Sequence, residues 1–570
     1  MSDDSARRNS LTRRTLLGGA AAAGFAAAAG LRPAYRIPAG SAAATLSPPP
    51  DFPAGIPLSQ QAFRNWSLEI VVENVWTASA RTPDEVVILA NWAHQHGYRL
   101  RARGKGHTWS PLVLPAGADT GRTVLVDTAS HLTAVSVRPG GPGSPGSVTA
   151  QAGATLDAIL ARLEESGLGL ATTTAPGDLT IGGVLAIGGH GTGVPTATEN
   201  PPAGSGFGTL SSQVTSLTAV VWSAPEGRYV LKTFTRGDPD IRAFLVHLGR
   251  AFVTEVTMTA AANTRIRCQN WYDVNVATVF GPPGTGGRTL ASYVDRTGRI
   301  EAIWFPFTDV PWLKVWSVAP AKPPFAKQLD GPYAYTFANR VTEDMSKLLG
   351  EIAAGGGDRT PAFTKLAMSI VGSGLIVTGT WDVWGWSKNS LLYVEPTTLR
   401  IVEAGWAVLT SRANVQRVVH EFYARYQSVL TAYQSRGSYP VNGPIELRIT
   451  GTDPVDGPLL SPARARPDRP EWDTVVWLDF ATYPGTPGAG PFFRELEQWI
   501  WQNYTGAYAA VRPEWSKGWA YTDGGPWTDP AVLGGTVPAA FGDWHTAREK
   551  LNSYDPGRVF SNAFLDTLLP

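Results

Sequence analysis

The chain has 570 residues, of which 43% are hydrophobic and 17% charged, so we expect a globular protein with more than one domain. Its 48 basic and 47 acidic side chains give a net charge of +1, which is not the signature of a nucleic-acid-binding protein. The single cysteine, Cys268, excludes an intrachain disulfide and a multi-cysteine metal site. We therefore predict no metal centre and no nucleic-acid partner.

Tryptophan is the outlier in the composition, with 21 residues. So many large rings either line a wide apolar cavity or simply pack the hydrophobic cores. The composition alone leaves both interpretations open.

Residues 1–44 are predicted to be an export signal. A polar, basic stretch ends at Arg13-Arg14, an Ala/Gly-rich run continues to Leu31, and residues 41–44 offer small side chains for cleavage. This pattern resembles a twin-arginine signal, and the run is too short and too rich in glycine for a transmembrane anchor. We expect export of the folded protein to the periplasm, the cell surface or the medium. A lipid anchor or a retained helix is the alternative.

Residues 45–66 begin with a Pro-rich stretch and are predicted to be an extended linker. The next region, 67–262, alternates strands and helices irregularly. Its predicted strands are 67–76, 100–103, 124–127, 135–137, 148–152, 214–222, 228–234 and 252–259. Its predicted helices are 84–96, 155–166 and 239–247.

The pattern changes at about residue 263, where long strand-like runs begin and continue to residue 540. These runs are 266–276, 299–307, 365–380, 391–410, 444–451 and 473–482. Two helices are predicted, at 411–435 and 489–504. The last 30 residues, 541–570, form a separate segment.

The first chemical motif is the loop Gly104-Lys105-Gly106-His107, which follows a predicted strand. Two glycines around Lys105 allow a sharp turn, and successive backbone N–H groups in such a turn form a nest suited to a pyrophosphate. The loop is not a P-loop, because no Gly-Lys-Ser/Thr follows, and it lacks the Gly-x-Gly-x-x-Gly spacing of the dinucleotide fingerprint.

A second glycine-rich segment, 175–193, holds seven glycines in nineteen residues. Such a dense run loses much chain entropy on folding, and close approach of the backbone to a ligand explains it best. The alternative is a solvated linker, but Ile, Leu, Val and Ala residues are interleaved with the glycines and argue against it.

Together these segments resemble the FAD-binding domain of the vanillyl-alcohol oxidase (PCMH-type) flavoprotein family. Three further motifs support the resemblance in the same order. Residues 81–86 (RTPDEV) resemble the opening strand-to-helix signature, 252–257 (FVTEVT) the strand that closes the domain, and 555–565 (DPGRVFSNAFL) the C-terminal return.

The resemblance implies an α+β fold and FAD as the cofactor. The implied domains are a two-lobed FAD-binding domain, 67–262, a substrate-binding domain on a large antiparallel sheet flanked by helices, 263–540, and a return to the FAD domain, 541–570. His107 takes the position of the family's flavin-linked histidine, and His190 is the second candidate for that link. The alternatives for His107 are a hydrogen bond to a phosphate and a purely structural role. The residues expected to bind the cofactor are Arg103, Gly104, Lys105, Gly106, His107, Thr108, Ser110, Pro176, Gly177, Asp178, Ile181, Gly182, Gly183, Gly188, His190, Gly191, Thr192, Gly193, Val253 and Asn562.

The second domain carries charged residues inside apolar strands. Glu301 and Glu403 each interrupt such a run, and Glu446 and Arg448 stand two residues apart, so they point to the same face of a strand. An ordinary polar face on a half-buried strand is the alternative for each. The ring-rich surroundings favour a site beside an apolar pocket; these rings are Trp304, Phe305, Phe307, Trp312, Trp316, Trp381, Trp384 and Trp386.

Segments 299–318 and 444–451 resemble the substrate domain of the covalent-FAD (class II) bacterial cholesterol oxidases. This resemblance implies oxidation of a sterol 3β-hydroxyl with O₂ as acceptor. The products would be a 3-ketosteroid and hydrogen peroxide, with Δ5→Δ4 isomerisation following. The implied partners are a hydrophobic sterol, O₂ and, transiently, a membrane from which the sterol is extracted.

The same resemblance implies roles for the charged residues. Glu301 or Glu403 is expected to be the base and proton carrier. Glu446 and Arg448 are expected to form a paired gate beside the flavin, where Arg448 can also stabilise a developing oxyanion. Lys517 is a further candidate beside the flavin, and a surface lysine is its alternative.

Two other functions are open. A sugar-lactone or alditol oxidase has the same fold, but its substrates need many hydrogen-bonding groups in the pocket. The other is a protein that holds flavin without turnover.

Overall fold

A computed structural model of the chain describes residues 46–141, 144–197, 199–201, 205–339, 341–396 and 398–570. The predicted export signal lies outside these residues. The strands of the first domain are β1 (Leu58–Arg64), β2 (Val71–Ala78), β3 (Arg99–Arg103), β4 (Thr123–Asp127), β5 (Val135–Arg138), β6 (Gly146–Gln151), β7 (Leu168–Gly169), β8 (Val214–Ser223), β9 (Arg228–Thr235) and β10 (Phe252–Ala262). Its helices are α1 (Pro83–His96), α2 (Leu156–Glu165), α3 (Ile181–Ala186) and α4 (Ile241–Leu245).

The first domain contains two sheets. A four-stranded mixed sheet has the order β1-β2-β4-β3, and a six-stranded antiparallel sheet has the order β5-β6-β10-β8-β9 with β7 also on β10. Helix α1 begins at Thr82, whose side chain accepts from the Glu85 backbone N–H, and ends at Gly97 in the left-handed conformation. That turn directs the chain into β3, and the loop 104–108 leaves the end of β3.

The second domain has one nine-stranded sheet. Its strands are β11 (Arg265–Trp271), β12 (Arg299–Trp304), β13 (Trp312–Val318), β14 (Lys327–Leu329), β15 (Asp382–Trp386), β16 (Val402–Thr410), β17 (Ile445–Gly451), β18 (Thr474–Thr482) and β19 (Ala509–Pro513). Their order is β14-β15-β11-β13-β12-β17-β18-β16-β19, and only the β14–β15 pair is parallel. Its helices are α5 (Val276–Val279), α6 (Leu290–Thr297), α7 (Glu343–Ala353), α8 (Thr360–Thr378), α9 (Ser387–Leu391), α10 (Val415–Gln434) and α11 (Ala489–Asn503).

The predicted α+β class, with a large antiparallel sheet in the second domain, is confirmed. The chain ends in α12 (Val537–Ala540), α13 (Trp544–Tyr554) and α14 (Ala563–Leu568). This last segment contacts the first domain. Tyr229 donates its hydroxyl hydrogen to Asp555 at 2.5 Å, Arg250 pairs with the same carboxylate at 2.8 Å, and Arg101 donates to the Phe560 carbonyl.

Three predictions of local structure are wrong. The linker 45–66 contains β1, which pairs with β2; its polar sequence LSQQAFR gives no apolar alternation to identify it. The run 365–380 is helix α8 rather than a strand. Its buried positions recur every three or four residues, and Met368, Val371 and Leu375 pack on Trp312 and Tyr335. Of 391–410, only β16 is a strand.

Among the described residues, the helical stretch Gly357–Thr378 is long and apolar enough to cross a membrane by length and composition alone. One face of this stretch packs on Trp312 and Tyr335 of the second domain.

Candidate active site

A cavity of about 300 Å³ lies where the two domains meet. Loop 104–110, the glycine-rich stretch 173–192 and residues 247–253 form its wall on the first domain. Glu403, Glu446, Arg448 and Lys517 are among the residues that line it from the second domain. The volume lies within the range of small-molecule sites.

The loop after β3 has the form of an anion nest. Within the described residues, the backbone N–H groups of 104–108 donate to no protein acceptor. Gly106 has φ +68°, and a Cβ atom on Gly104 would lie 2.1 Å from the Thr180 hydroxyl, so the loop turns where a side chain could not fit. Free N–H groups beside Lys105 on a cavity wall fit the pyrophosphate of FAD.

The second glycine-rich segment is part of the cavity wall and not a solvated linker. A Cβ atom on Gly191 would lie 2.2 Å from the Thr173 carbonyl oxygen, and one on Gly182 would lie 2.9 Å from the Ala152 methyl. The glycines therefore let neighbouring backbone segments approach each other closely around the cavity.

Most of the residues expected to bind the cofactor line the cavity. They are Gly104, Lys105, Gly106, His107, Thr108, Ser110, Pro176, Gly182, Gly183, Gly188, His190, Gly191, Thr192 and Val253. The others do not line it: Arg103, Gly177, Asp178, Ile181, Gly193 and Asn562. Ile181 is fully buried in the core, and Arg103 donates to Gln61 at the surface. The Asn562 amide donates to the carbonyls of residues 111–113 from behind.

His107 lies on the cavity wall among aromatic rings. Its ring centroid is 4.8 Å from that of Trp66 and 5.7 Å from that of Trp109. Burial, with the charges of Lys517 and Arg400, lowers the pKa of His107 to about 3. The imidazole is therefore neutral at physiological pH and keeps a free lone pair.

Arg448 binds three carboxylates at once. It donates from Nε to Glu301 at 2.8 Å and from Nη1 to Asp479 at 3.0 Å, and its Nη2 atom pairs with Glu446. The predicted shared face of Glu446 and Arg448 is thus confirmed. Of this cluster, Glu446 and Arg448 line the cavity, whereas Glu301 and Asp479 lie behind them with no exposed surface.

A second buried cluster surrounds Lys517, which pairs with Glu403 and lies 4.2 Å from the Trp109 ring centroid. Glu514 also lines the cavity, and its carboxylate is 3.7 Å from Nε2 of His190. Lys517 is 7% exposed, so the alternative interpretation that it is a surface lysine is wrong. His190 stacks on Trp477 with an interplanar angle of 10°.

Burial raises the pKa values of two carboxyl groups of the Arg448 cluster. It raises the pKa of Glu446 to about 7, although Arg448 acts in the opposite direction. Burial likewise raises the pKa of Asp479 well above its usual value. Burial works to lower the pKa of Lys517, but Glu403, Glu514 and Asp479 outweigh it and hold that pKa above its usual value.

Sequence reasoning missed several residues of the wall. Trp66 lies in the turn between β1 and β2, and its indole N–H is buried without an acceptor among the described residues. Tyr393 lies in the run 391–410, which was predicted to be a strand. Glu514 lies three residues before Lys517. His247 precedes the strand β10 that closes the first domain. For Glu514, its closeness to Lys517 in the sequence was a usable signal; for Trp66 there was none.

The abundance of tryptophan reflects core packing more than the cavity. Of the tryptophans, Trp66, Trp109 and Trp316 are found in the wall. The largest fully buried side chains include Trp304, Trp316, Trp406, Trp477, Trp515 and Trp519.

Comparison with known proteins gives matches over both domains. Residues 265–570 match the family described as "Cholesterol oxidase, substrate-binding", and residues 77–200 match the family described as "FAD binding domain". A solved structure of a solvent-stable cholesterol oxidase is 50% identical, with a TM-score of 0.89, covering 92% of this chain and 100% of that one. A cholesterol oxidase from B. sterolicum is 43% identical, with a TM-score of 0.90 and the same coverage.

Among curated proteins, the L-gulonolactone oxidase of Scyliorhinus torazame is 23% identical over 248 residues, which is 43% of this chain. The match spans about half the length of that relative, 49%.

The fold, the N–H nest and the matched families define a two-domain flavoprotein with an FAD-binding domain and a separate substrate-binding domain. The substrate-domain match covers more than half of the chain, and the solved relatives align with nearly all of it. The chain belongs to the cholesterol oxidase family, which confirms the resemblance drawn from its motifs.

Proposed function

We propose that the protein oxidises the 3β-hydroxyl of a sterol, with O₂ as the final acceptor. The products are a 3-ketosteroid and hydrogen peroxide, and Δ5→Δ4 isomerisation follows. The observation that carries this proposal is a cavity bounded on one side by the N–H nest and on the other by the Arg448 cluster. Membership of the cholesterol oxidase family supports the substrate class.

FAD held by the nest of residues 104–108 would supply the hydride acceptor for the sterol carbon and the electron donor for O₂. The protein must then remove the hydroxyl proton. Glu446 is best placed among the carboxylates, because it lines the cavity and its pKa of about 7 lets it both take up and release a proton near neutrality. Glu301 and Glu403 were the two residues expected from the sequence to supply the base; Glu301 lies behind Arg448 with no exposed surface.

The other charged groups orient the substrate and balance charge. Arg448 faces the cavity beside Glu446, where its guanidinium stabilises negative charge that develops on the substrate oxygen. Glu403 also lines the cavity and is paired with Lys517. Isomerisation requires a carboxyl group that moves a proton between two ring carbons, and Glu446 can serve again.

Steady-state turnover tests the proposal. The purified holoenzyme in air should form hydrogen peroxide and a 3-ketosteroid from cholesterol, in equal amounts, and neither product from xylitol or gulonolactone. Turnover of the polyols without sterol turnover would favour the sugar-lactone or alditol oxidase. A second experiment compares three single variants, Glu301→Gln, Glu403→Gln and Glu446→Gln. The oxidation rate should fall most in Glu446→Gln, and the isomerisation rate is measured separately.

We also propose a covalent bond between His107 and the flavin. Its neutral imidazole on the cavity wall, held by Trp66 and Trp109, supports this. On acid denaturation, the yellow colour should stay with the precipitated protein and move to the supernatant in His107→Ala. Release of all colour from the wild-type protein would contradict the bond. If His107→Ala keeps the colour and a His190→Ala variant releases it, the flavin is bonded to His190 instead.

Transient membrane contact is a further part of the proposal. Four large apolar side chains stand exposed near the end of α8: Phe325 (91%), Ile376 (77%), Val377 (84%) and Trp381 (50%). Lys327 joins the two segments by donating to the Thr378 carbonyl at 3.0 Å. Exposed apolar patches of this kind suit a lipid surface. The double variant Ile376→Ser/Val377→Ser should bind sterol-containing vesicles less than wild type. The control Val455→Ser changes an exposed valine in another segment and should bind as wild type does. Equal binding by the double variant and wild type would contradict the contact.

Export through the twin-arginine route is proposed from Arg13-Arg14 and the following Ala/Gly-rich run. Replacing both arginines by lysine should leave the full-length protein inside the cell. Undiminished export of that variant would contradict this route.

A further inference from the structure

A buried ammonium group in the second domain makes no ion pair within the part of the chain that the structure describes. Lys314 in β13 is 0% exposed, and among the described residues its Nζ atom has no hydrogen-bond acceptor. Burying a charge without a hydrogen-bonded partner is strongly unfavourable. The position of this lysine therefore requires an explanation beyond packing.

Four aromatic rings take the place of the acceptor. The Nζ atom lies 3.5 Å from the ring centroid of Tyr335, 4.2 Å from that of Tyr393, 4.7 Å from that of Trp312 and 5.5 Å from that of Trp316. Ring faces attract a cation within about 6 Å, and the attraction is stronger away from water. We call Lys314 and these four rings the lysine box.

Tyr393 connects the lysine box to the Arg448 cluster. Its hydroxyl donates to Oε2 of Glu301 at 2.5 Å, and Oε1 of the same carboxylate accepts from Arg448. Lys314 and Glu301 are paired across the neighbouring strands β13 and β12, so their side chains share one face of the sheet. The rings of Trp316 and Tyr393 are themselves part of the cavity wall.

We propose that Lys314 is a positioning residue for the oxidation proposed above, on which this inference rests. Its ammonium holds the Tyr393 ring so that the hydroxyl stays on Glu301, and Glu301 in turn holds Arg448 beside Glu446. Lys314 stands behind the cavity wall, so it acts through these groups and does not touch the substrate.

The charge of the box depends on pH. The titratable and charged groups that face the ammonium are Cys268 from β11, Glu301 from β12, and Tyr335 and Tyr393 from the loops, with Arg448 beyond Glu301. Burial lowers the pKa of Lys314 to about 8, against the opposing effects of Cys268 and Glu301. Burial raises the pKa of Cys268 to about 11 and those of both tyrosines further, so these groups stay protonated. The box is therefore cationic below about pH 8 and neutral above it.

The test compares Lys314→Met, Lys314→Arg and the control Lys232→Met, a surface lysine that also lies over two rings. The rate constant for reduction of the flavin by cholesterol is measured on the holoenzyme from about pH 6 to about pH 9.5. The wild-type rate should fall above about pH 8, and Lys314→Arg should abolish that fall because its charge persists. Lys314→Met should be about tenfold slower at pH 7, a factor equal to about 1.4 kcal/mol, and the control should match wild type.

A second measurement does not depend on turnover. Lysine labelled with ¹³C at Cε should give one resonance in the holoenzyme that titrates near pH 8 and is lost in Lys314→Arg. A Lys314 resonance with the chemical shift of a neutral amine at pH 7 would overturn the charged box. Equal slowing in the Met and Arg variants would also overturn the inference, because it would show a requirement for shape only. A wild-type flavin that no sterol reduces would instead refute the proposed function.

Discussion

Replacing Arg448 by methionine should destabilise the protein in a strongly pH-dependent way. Arg448 is the only cation hydrogen-bonded to Glu301 and Asp479 among the described residues, both of which are fully buried, and it also pairs with Glu446. Removing one partner from a buried ion pair costs about 3–5 kcal/mol, because the remaining charge is left without compensation. For a domain of this size, that corresponds to a loss of about 6–10 °C in Tm.

The sign of the pH dependence follows from the carboxyl groups. Burial already raises the pKa values of Glu446 and Asp479, and Arg448 is one of the groups that hold them down. Without Arg448 these folded-state pKa values rise further above the unfolded values. The part of the penalty due to Glu446 and Asp479 is therefore small near pH 5, where these two folded carboxyls are protonated, and grows as the pH rises towards 8.

Thermal unfolding of the holoenzyme at pH 5.5 and pH 8 measures this difference. Arg448→Lys should lose part of the stability, because one ammonium cannot reach three carboxylates in separate directions. Arg466→Met removes an exposed pair with Asp468 and should leave Tm unchanged at both pH values. An equal Tm loss for Arg448→Met at the two pH values would refute the electrostatic reasoning and indicate lost packing instead.

Three further substitutions test other parts of the site. Gly104→Ala should lower the flavin content of the purified protein, because the added Cβ atom collides with Thr180. The control Gly287→Ala adds a Cβ atom in open space and should keep its flavin. Equal ratios of flavin to protein absorbance in the two variants would refute the nest. Tyr393→Phe should slow flavin reduction about tenfold by leaving a buried oxygen of Glu301 without its donor, and an unchanged rate would contradict a role for that bond. Asn562→Ala removes the cap of α14 and the donors to residues 111–113, so the free energy of unfolding should fall by about 1–2 kcal/mol. An unchanged Tm would show that Asn562 does not stabilise the C-terminal return.

The sequence was most informative where local geometry decides structure. Gly104 and Gly106 identified a tight turn because only glycine permits the conformation and the close contact found there. The two-residue spacing of Glu446 and Arg448 predicted a shared face because side chains alternate along a strand. Both predictions needed no information about distant parts of the chain.

Features set by packing between distant segments could not be predicted. Residues 365–380 are rich in β-branched side chains and were assigned to a strand, but contacts with Trp312 and Tyr335 stabilise helix α8. Glu301 was one of two residues expected to be the base, yet it is fully buried against Arg448 of β17 and Tyr393, which lie far away in the sequence. Lys314 gave no signal at all, since its four rings come from three separate parts of the chain.

Anaerobic reduction of the flavin tests the central claim most directly. Mixing the holoenzyme with cholesterol in the absence of O₂ should bleach the oxidised flavin absorbance in a single turnover, and admitting O₂ should restore it. Xylitol and gulonolactone should leave the spectrum unchanged. Bleaching by either of these compounds, with none by any 3β-hydroxysterol, would contradict sterol oxidation in this cavity.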